Sequence, residues 1–464
     1  MVRDSAPPHD LRGSASPRSF GRSAGTLSAG VALSGVLTYA FFALSSHQLD
    51  SVAYGEVVVL WSTVFVTISV IHRPVEQFLS RSVAEQRAVG QTLAPTLRTA
   101  AILELAIAVG FAALSLVLRS PLEDDLFSGD TTLYWVYVGS VLAFGASFFA
   151  RGFLAGSERF GLLAGLLVAE SGSRTGFALA VAIGVAEGQN AIALGIAAAP
   201  VFSLVVVPAA FTRRAAAKPA VAAPAASPGA TRDRLARGGA FAAAVFVIML
   251  SEQALLNGGP LLLRAIEGAA EAGFIFNVLM LARAPLVVFQ GIAVSLLPHL
   301  TRLRSAGGAG AARQFSSSVE GTLRAVAAFA AVVGLVVAVA GPELMQLAFG
   351  DRFDYDRTAL LIVTAAMGLY LAATTVNQAV LAQGRARRAA GAWAIAAVLF
   401  LGWSILPLID DPARRIEIGF GLAALVLFGL LLRIYRDVRE SQVPLEEGSA
   451  SEIAARLALA DEAS

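Results

Sequence analysis

The chain has 464 residues, of which 56% are hydrophobic and only 15% charged, and its mean hydropathy is +0.70. Soluble domains of this length rarely carry so little charge, whereas polytopic membrane proteins usually do. The complete lack of cysteine excludes disulfides, thiol catalysis and cysteine metal sites, and a formal net charge of +2 gives no reason to expect a nucleic-acid partner.

Residues 1–25 are rich in Ser, Pro, Gly and Arg and read as a disordered cytoplasmic segment. Twelve apolar stretches follow, near 26–47, 54–78, 96–118, 132–154, 160–185, 189–211, 237–259, 272–298, 320–342, 358–382, 389–408 and 416–435. Each approaches the roughly 20 residues that a bilayer-spanning helix needs. Barrel strands would be about half as long and would alternate polar with apolar residues. The first stretch is as long as a span and reads as an uncleaved helix rather than a signal peptide. Between the sixth and seventh stretches, 212–236 is basic and Pro/Ala-rich, as a cytoplasmic linker would be. The expected organisation is therefore an N-lobe at 26–211 (spans one to six), the linker, a C-lobe at 237–436 (spans seven to twelve) and a cytoplasmic tail at 437–464. In that tail, Ser449 to Glu452 fits a capping box opening a short helix.

Charge fixes the orientation. With connections numbered from the N-terminus, 26 of the 35 basic residues fall on the side of the termini. The opposite side is acidic, with Glu123, Asp124, Asp125, Asp130, Asp351, Asp354, Asp356, Asp410 and Asp411. Basic loops stay in the cytoplasm, so both termini are expected there. The halves also echo each other weakly: F-L-A-G-S-E-R-F-G follows span four, and V-L-A-Q-G-R-A-R-R follows span ten. Six spans per half give parallel repeats about an axis along the membrane normal. The fold class expected is all-α and polytopic, with twelve transmembrane helices in two six-helix lobes around a central cavity.

Charges inside spans are costly and usually face a cavity or one another. Arg73, Arg174 and Arg283 are the basic residues within spans; Glu76, Glu104, Glu170 and Glu252 are the acids. At 1.5 Å per residue from the start of span five, Glu170 lies about 15 Å deep and Arg174 about 21 Å. Four residues apart, they share a helical face and read as an ion pair that neutralises itself, either structural or part of transport. Arg73 and Glu76 flank Pro74 near the cytoplasmic end of span two. Arg283 is about 16 Å deep, with no acid within four residues on its own helix and Pro285 following it. Such a guanidinium needs a counter-charge from another helix or from a substrate phosphate. Glu252, Gln253, Asn257, Asn277, Gln290, Asn377 and Gln378 supply further polar positions, serving equally well as sugar contacts or interhelical glue. Glu104, Glu170 and Glu252 are options for coupling to Na+ or H+, against the alternative of neutral buried carboxyls.

Enzyme motifs are few. Asp354-Tyr-Asp356 matches a metal-binding D-x-D, but the loops on the acidic side are too short for a catalytic surface. No phosphate-cradling G-x-x-x-x-G-K-[ST] is present, the four histidines are scattered, and no enzyme activity or cofactor is expected.

Several segments resemble Wzx-type polysaccharide flippases of the multidrug/oligosaccharidyl-lipid/polysaccharide (MOP) exporter superfamily. They are R-G-F-L-A-G-S-E-R-F (151–160), S-L-L-P-H-L-T-R (295–302), P-E-L-M-Q-L-A-F-G-D-R-F (342–353) and A-V-L-A-Q-G-R (379–385). The resemblance implies two lobes around a cavity that opens alternately to either face of a bacterial plasma (inner) membrane. It implies an undecaprenyl-pyrophosphate-linked oligosaccharide as cargo, with Arg73 and Arg283 near the cavity to meet the pyrophosphate. Membrane lipids and the polymerase and glycosyltransferases of surface-polysaccharide synthesis are the implied partners. The chain departs from lipid II flippases of the superfamily in having only three basic residues within its spans. A cation-coupled drug or metabolite antiporter of the same superfamily, and a lipid II flippase, are the alternatives.

Overall fold

The computed structural model describes residues 17–88, 90–209, 228–306 and 308–442. Thirteen long helices form it: α1 (Pro17–Gln48), α2 (Ser51–Ile71), α3 (Arg73–Ala88), α4 (Ala94–Val117), α5 (Thr131–Gly156), α6 (Phe160–Ala182) and α7 (Gly188–Ser203) come first. The second set is α8 (Pro228–Ile266), α9 (Ala269–Ala306), α10 (Gly308–Phe349), α11 (Arg357–Ala382), α12 (Ala386–Ile405) and α13 (Pro412–Gln442). Each of the twelve expected spans falls on one of these helices, span two being divided between α2 and α3. Among the described residues, ten helices are long and apolar enough to cross a membrane. The short α3, helix α6 diluted by Glu170 and Arg174, and helix α9 stand outside that set.

Boundaries differ from the expectation at three places. Helix α1 starts at Pro17, inside the segment expected to be disordered. Helix α8 starts at Pro228, inside the expected linker, and α13 runs on to Gln442. The rest of the linker and the capping box at Ser449–Glu452 lie outside the described residues.

Acidic caps mark the starts of helices on the acidic face. Asp50 accepts from the backbone N–H groups of Val52 and Ala53 at α2, and Asp130 from Thr132 and Leu133 at α5. Asp356 caps α11 through Ala359. These satisfy donors that a helix start leaves orphaned. Large apolar side chains stand exposed on the outside of the bundle, among them Val117, Val185, Leu347 and Val398. In a soluble protein they would be a liability; around a bundle of span-length helices they are the lipid-facing belt.

The N-lobe packs α1 on α6, α6 on α7, and α3 on α5; the C-lobe packs α11 on α13, and α12 on both α8 and α13. Helix α5 approaches α3 through Gly152 and Gly156. A Cβ there would stand 2.7 Å from the Glu76 carbonyl oxygen and 2.3 Å from that of Ser80. Small residues at this spacing let helix backbones meet in a membrane, where hydrophobicity alone does not drive association.

The lobes join through α2, which packs on α8 and α9, and through α1, which packs on α9. Phe42 meets Phe276 with ring centroids 4.5 Å apart, and the Tyr54 hydroxyl donates to the Asn277 side chain. Arg352, in the α10–α11 connection, donates to the carbonyls of Ser46 and Leu49 at the end of α1. All of these residues lie in the acidic-face halves of their helices.

Candidate functional site

The intramembrane charges form two neighbouring groups. The first belongs to the N-lobe. Glu170 on α6 binds Arg151 on α5, while its other oxygen lies 3.7 Å from Arg174 Nη1. The expected Glu170–Arg174 pair is therefore only half of the arrangement. Arg151, counted by sequence with the basic loops, sits inside α5 with its guanidinium 4.6 Å from the Phe148 ring centroid. Arg174 rests 4.4 Å over the Trp61 ring of α2, and its Nε and Nη1 are buried without a hydrogen-bond partner. A cation over an indole face is attracted by the ring quadrupole, which compensates Arg174 for the longer ionic contact. Glu76, in the first turn of α3, lies within electrostatic reach of Arg73, Arg151 and Glu170.

The second group bridges the lobes. Arg283 on α9 is half-buried as a residue, yet its Nε and Nη2 are buried and lack a hydrogen-bond partner. Its electrostatic neighbours are the phenols of Tyr39 on α1 and Tyr370 on α11, not carboxylates. The Tyr39 hydroxyl is engaged by the Met280 carbonyl, one turn before Arg283. Tyr370 donates to Glu252 on α8 at 3.2 Å, and Tyr370 in turn feels both Arg283 and Arg73. Arg73, Glu76, Glu252 and Arg283 are all half-buried rather than sealed in the core. A polar seam thus runs from Glu170 and Arg151 through Glu76 and Arg73 to Tyr370, Arg283 and Glu252. Tyr370, one of the polar residues legible in span ten, and Tyr39 complete it; the signal for Tyr39 was an aromatic ring with a polar tip inside an apolar run.

The remaining predicted positions divide differently. Asn257 donates to Gln253 at 2.8 Å along α8, so both amides are spent within one helix. Asn277 is fully buried in the lobe junction against Tyr54, and Asn377 accepts from Trp393 Nε1 at 3.1 Å inside the C-lobe. These hydrogen bonds run within and between helices, as amides do in membrane bundles. Gln378 is half-buried, and the side chain of Gln290 lies outside the described residues.

Glu104 takes a partner 32 residues away. His72, at the break between α2 and α3, has Nδ1 2.7 Å from Glu104 Oε2 and Nε2 3.0 Å from the Val141 carbonyl oxygen. Nε2 must carry a proton to donate to that carbonyl. The contact with Glu104 then needs one more proton, held either by an imidazolium or by a neutral carboxyl group. Either way the pair is neutral overall, which is how a buried acid and base coexist.

Comparison with known proteins places the fold. No family model and no curated protein matches the sequence. Among solved structures, the chain is similar to an inward-facing multidrug resistance MATE family transporter of the MOP superfamily, with a TM-score of 0.66 at 14% identity. That match covers 93% of this chain and 97% of the other. A mutant of the Vibrio cholerae MATE transporter VcmN gives a TM-score of 0.60 at 15% identity over 91% of this chain and 98% of its own. A MOP superfamily transporter from Pyrococcus furiosus, described as having a binding pocket of reversed polarity, gives 0.58 at 15% identity, covering 89% and 96%. At these identities the likeness speaks for architecture: the chain has the all-helical, multi-pass fold of these transporters.

Proposed function

We propose that this protein is an alternating-access transporter that moves a lipid-linked pyrophosphate oligosaccharide across a bacterial plasma membrane, with Arg283 and Arg73 meeting the pyrophosphate. The observation that carries this reading is Arg283, a guanidinium near the lobe junction with two buried, unpartnered nitrogens. A permanent cation that has no carboxylate partner among the described residues, in a membrane interior, favours an anionic cargo. Arg73 reaches the same seam from the N-lobe through Tyr370, so a phosphate lying between the lobes would meet one arginine from each. Movement of the lobes would then carry the anion between faces without exposing it to hydrocarbon. The work of glycosyltransferases and a polymerase on either side of the membrane fits such a cargo.

In proteoliposomes carrying a lipid-linked pyrophosphate oligosaccharide, Arg283→Ala is expected to slow flipping by at least about tenfold, the scale of one lost charge-assisted phosphate contact. Arg283→Lys should retain part of the rate, since it keeps the charge but loses the planar fork. A wild-type rate in Arg283→Ala would remove this reading. A second reading, a cation-coupled drug antiporter, is favoured by the half-buried Glu252 carboxylate bonded to Tyr370. It predicts that Glu252→Gln abolishes efflux of an organic cation while Arg283→Ala does not.

A further inference from the structure

On the acidic face, beside the lobe junction, a cavity of about 500 Å³ opens between the start of α2, the α4–α5 connection and the start of α7. Its lining includes Asp50, Glu56, Asp130 and Gln189, with Val52 and Phe127 as apolar wall. Two other acids of the same connection are already partnered: Arg119 Nε lies 2.8 Å from Glu123, and the Ser120 hydroxyl donates to Asp124 at 2.7 Å. Among the acids of the cavity, Asp130 is likewise bonded through both oxygens, while Glu56 is not. Asp50 and Asp130 each commit one oxygen to a helix cap, and Asp130 accepts additionally from Gln189 at 3.1 Å.

Glu56 is the anomaly. It is only 3% exposed, and its Oε1 accepts from the Ser128 hydroxyl and lies 3.6 Å from Arg264 of the C-lobe. Its Oε2 is buried without any hydrogen-bond partner. A buried carboxylate oxygen left bare costs more than almost any other unsatisfied group. Glu56 thus shares one guanidinium, which also donates to the Leu126 carbonyl and the Ser128 hydroxyl.

We propose that this cavity binds an organic ammonium compound whose charged nitrogen reaches Glu56 Oε2. The volume far exceeds a bare ion, and the Val52 and Phe127 wall suits an aliphatic stem. Among the described residues, no three acidic or histidine side chains converge closely enough to hold a metal ion. Arg264 and the ligand share one carboxylate, so occupancy of the cavity weakens a tie between the lobes. This inference does not depend on what the central seam carries.

The test is isothermal titration of the full chain in lipid nanodiscs with 1,4-diaminobutane, with the uncharged 1,4-butanediol and with Na+ as controls. Only the diamine is expected to bind. Glu56→Gln, nearly isosteric, should weaken binding by about tenfold or more, as loss of a buried charge-assisted contact does. Asp130→Asn keeps the helix cap, because Asn caps as well as Asp, and should weaken binding by about threefold. Arg264→Ala should strengthen it, because the competing cation is gone. Each variant's elution as a single folded species shows that lost binding is not lost folding. No heat with the diamine at millimolar concentration would overturn the proposal. So would equal binding of the diol or Na+, or an affinity that Glu56→Gln leaves unchanged.

Discussion

At the scale of single residues, Glu170 shows how a buried charge is balanced by more than its helical neighbour. Spacing alone placed Arg174 one turn on and made the two a closed pair. The structure adds Arg151 from the adjacent helix as the nearer cation and turns Arg174 towards Trp61. Removing one partner of a buried pair costs about 3–5 kcal/mol, because the other is left uncompensated. Glu170→Ala strands two arginines and is expected to lower the unfolding temperature in detergent most. Arg151→Ala should follow, and Arg174→Ala, the more distant cation with an indole to rest on, should cost least. The double change Glu170→Ala/Arg174→Ala should not restore wild-type stability, since Arg151 loses its direct partner and keeps only the more distant Glu76. Full restoration would show that Arg151 takes no part. What sequence supplied here was the presence and depth of the charges. It could not supply Arg151, whose position near the end of an apolar run looks the same whether the side chain leaves for water or turns inward.

At the scale of elements, the chief departure from the sequence reading is the division of span two at His72. Hydropathy ran unbroken from 54 into the 70s, so one helix was expected. The structure ends α2 at Ile71 and starts α3 at Arg73, with Pro74 in its first turn, where a missing N–H is harmless. His72 fastens the break by bonding both α4 and α5. Its partner Glu104 was legible as an intramembrane acid, but a pairing across three helices leaves no periodic trace. His72→Ala leaves the Glu104 carboxyl without its partner, at about 1–3 kcal/mol, while the Val141 carbonyl keeps its bond within α5. Glu104→Gln keeps a hydrogen bond to a neutral imidazole and should cost much less. Thermal unfolding of the two variants decides: equal losses would mean that the break does not rest on this pair. Two of the family-like segments contribute packing contacts. In R-G-F-L-A-G-S (151–157), Arg151 balances Glu170, the glycines seat α5 on α3, and the Ser157 carbonyl accepts from Arg87 at 2.9 Å. In P-E-L-M-Q-L-A-F-G-D-R-F (342–353), Phe349 is fully buried, Phe353 packs against Tyr54, and Arg352 ties down the end of α1.

At the scale of the whole molecule, the all-helical, multi-pass architecture was written in composition, because a bilayer demands long apolar helices whatever their packing. The state of the lobes was not, because contact between them depends on side chains distant in sequence. Here they meet at the acidic face, where Gly55 on α2 lies directly against the first turn of α9. A Cβ at Gly55 would stand 1.8 Å from the Ala269 carbonyl oxygen, a backbone atom that cannot swing aside. Gly273 approaches from the other side, where a Cβ would come within 3.0 Å of the Tyr54 ring. Even alanine at 55 therefore has to part the two helices, and with them the seal made by Tyr54–Asn277, Arg352 and Glu56–Arg264. The absence of native cysteine gives a clean reporter. Ala272, fully buried beside this contact, can be replaced by cysteine and probed with a maleimide that does not cross membranes. With Gly55 in place the thiol should stay unlabelled; with Gly55→Ala it should react from the acidic face, because the closed arrangement no longer fits. Protection of the thiol in Gly55→Ala would mean that the helices absorb the methyl group locally. The lobes would then not part at this contact.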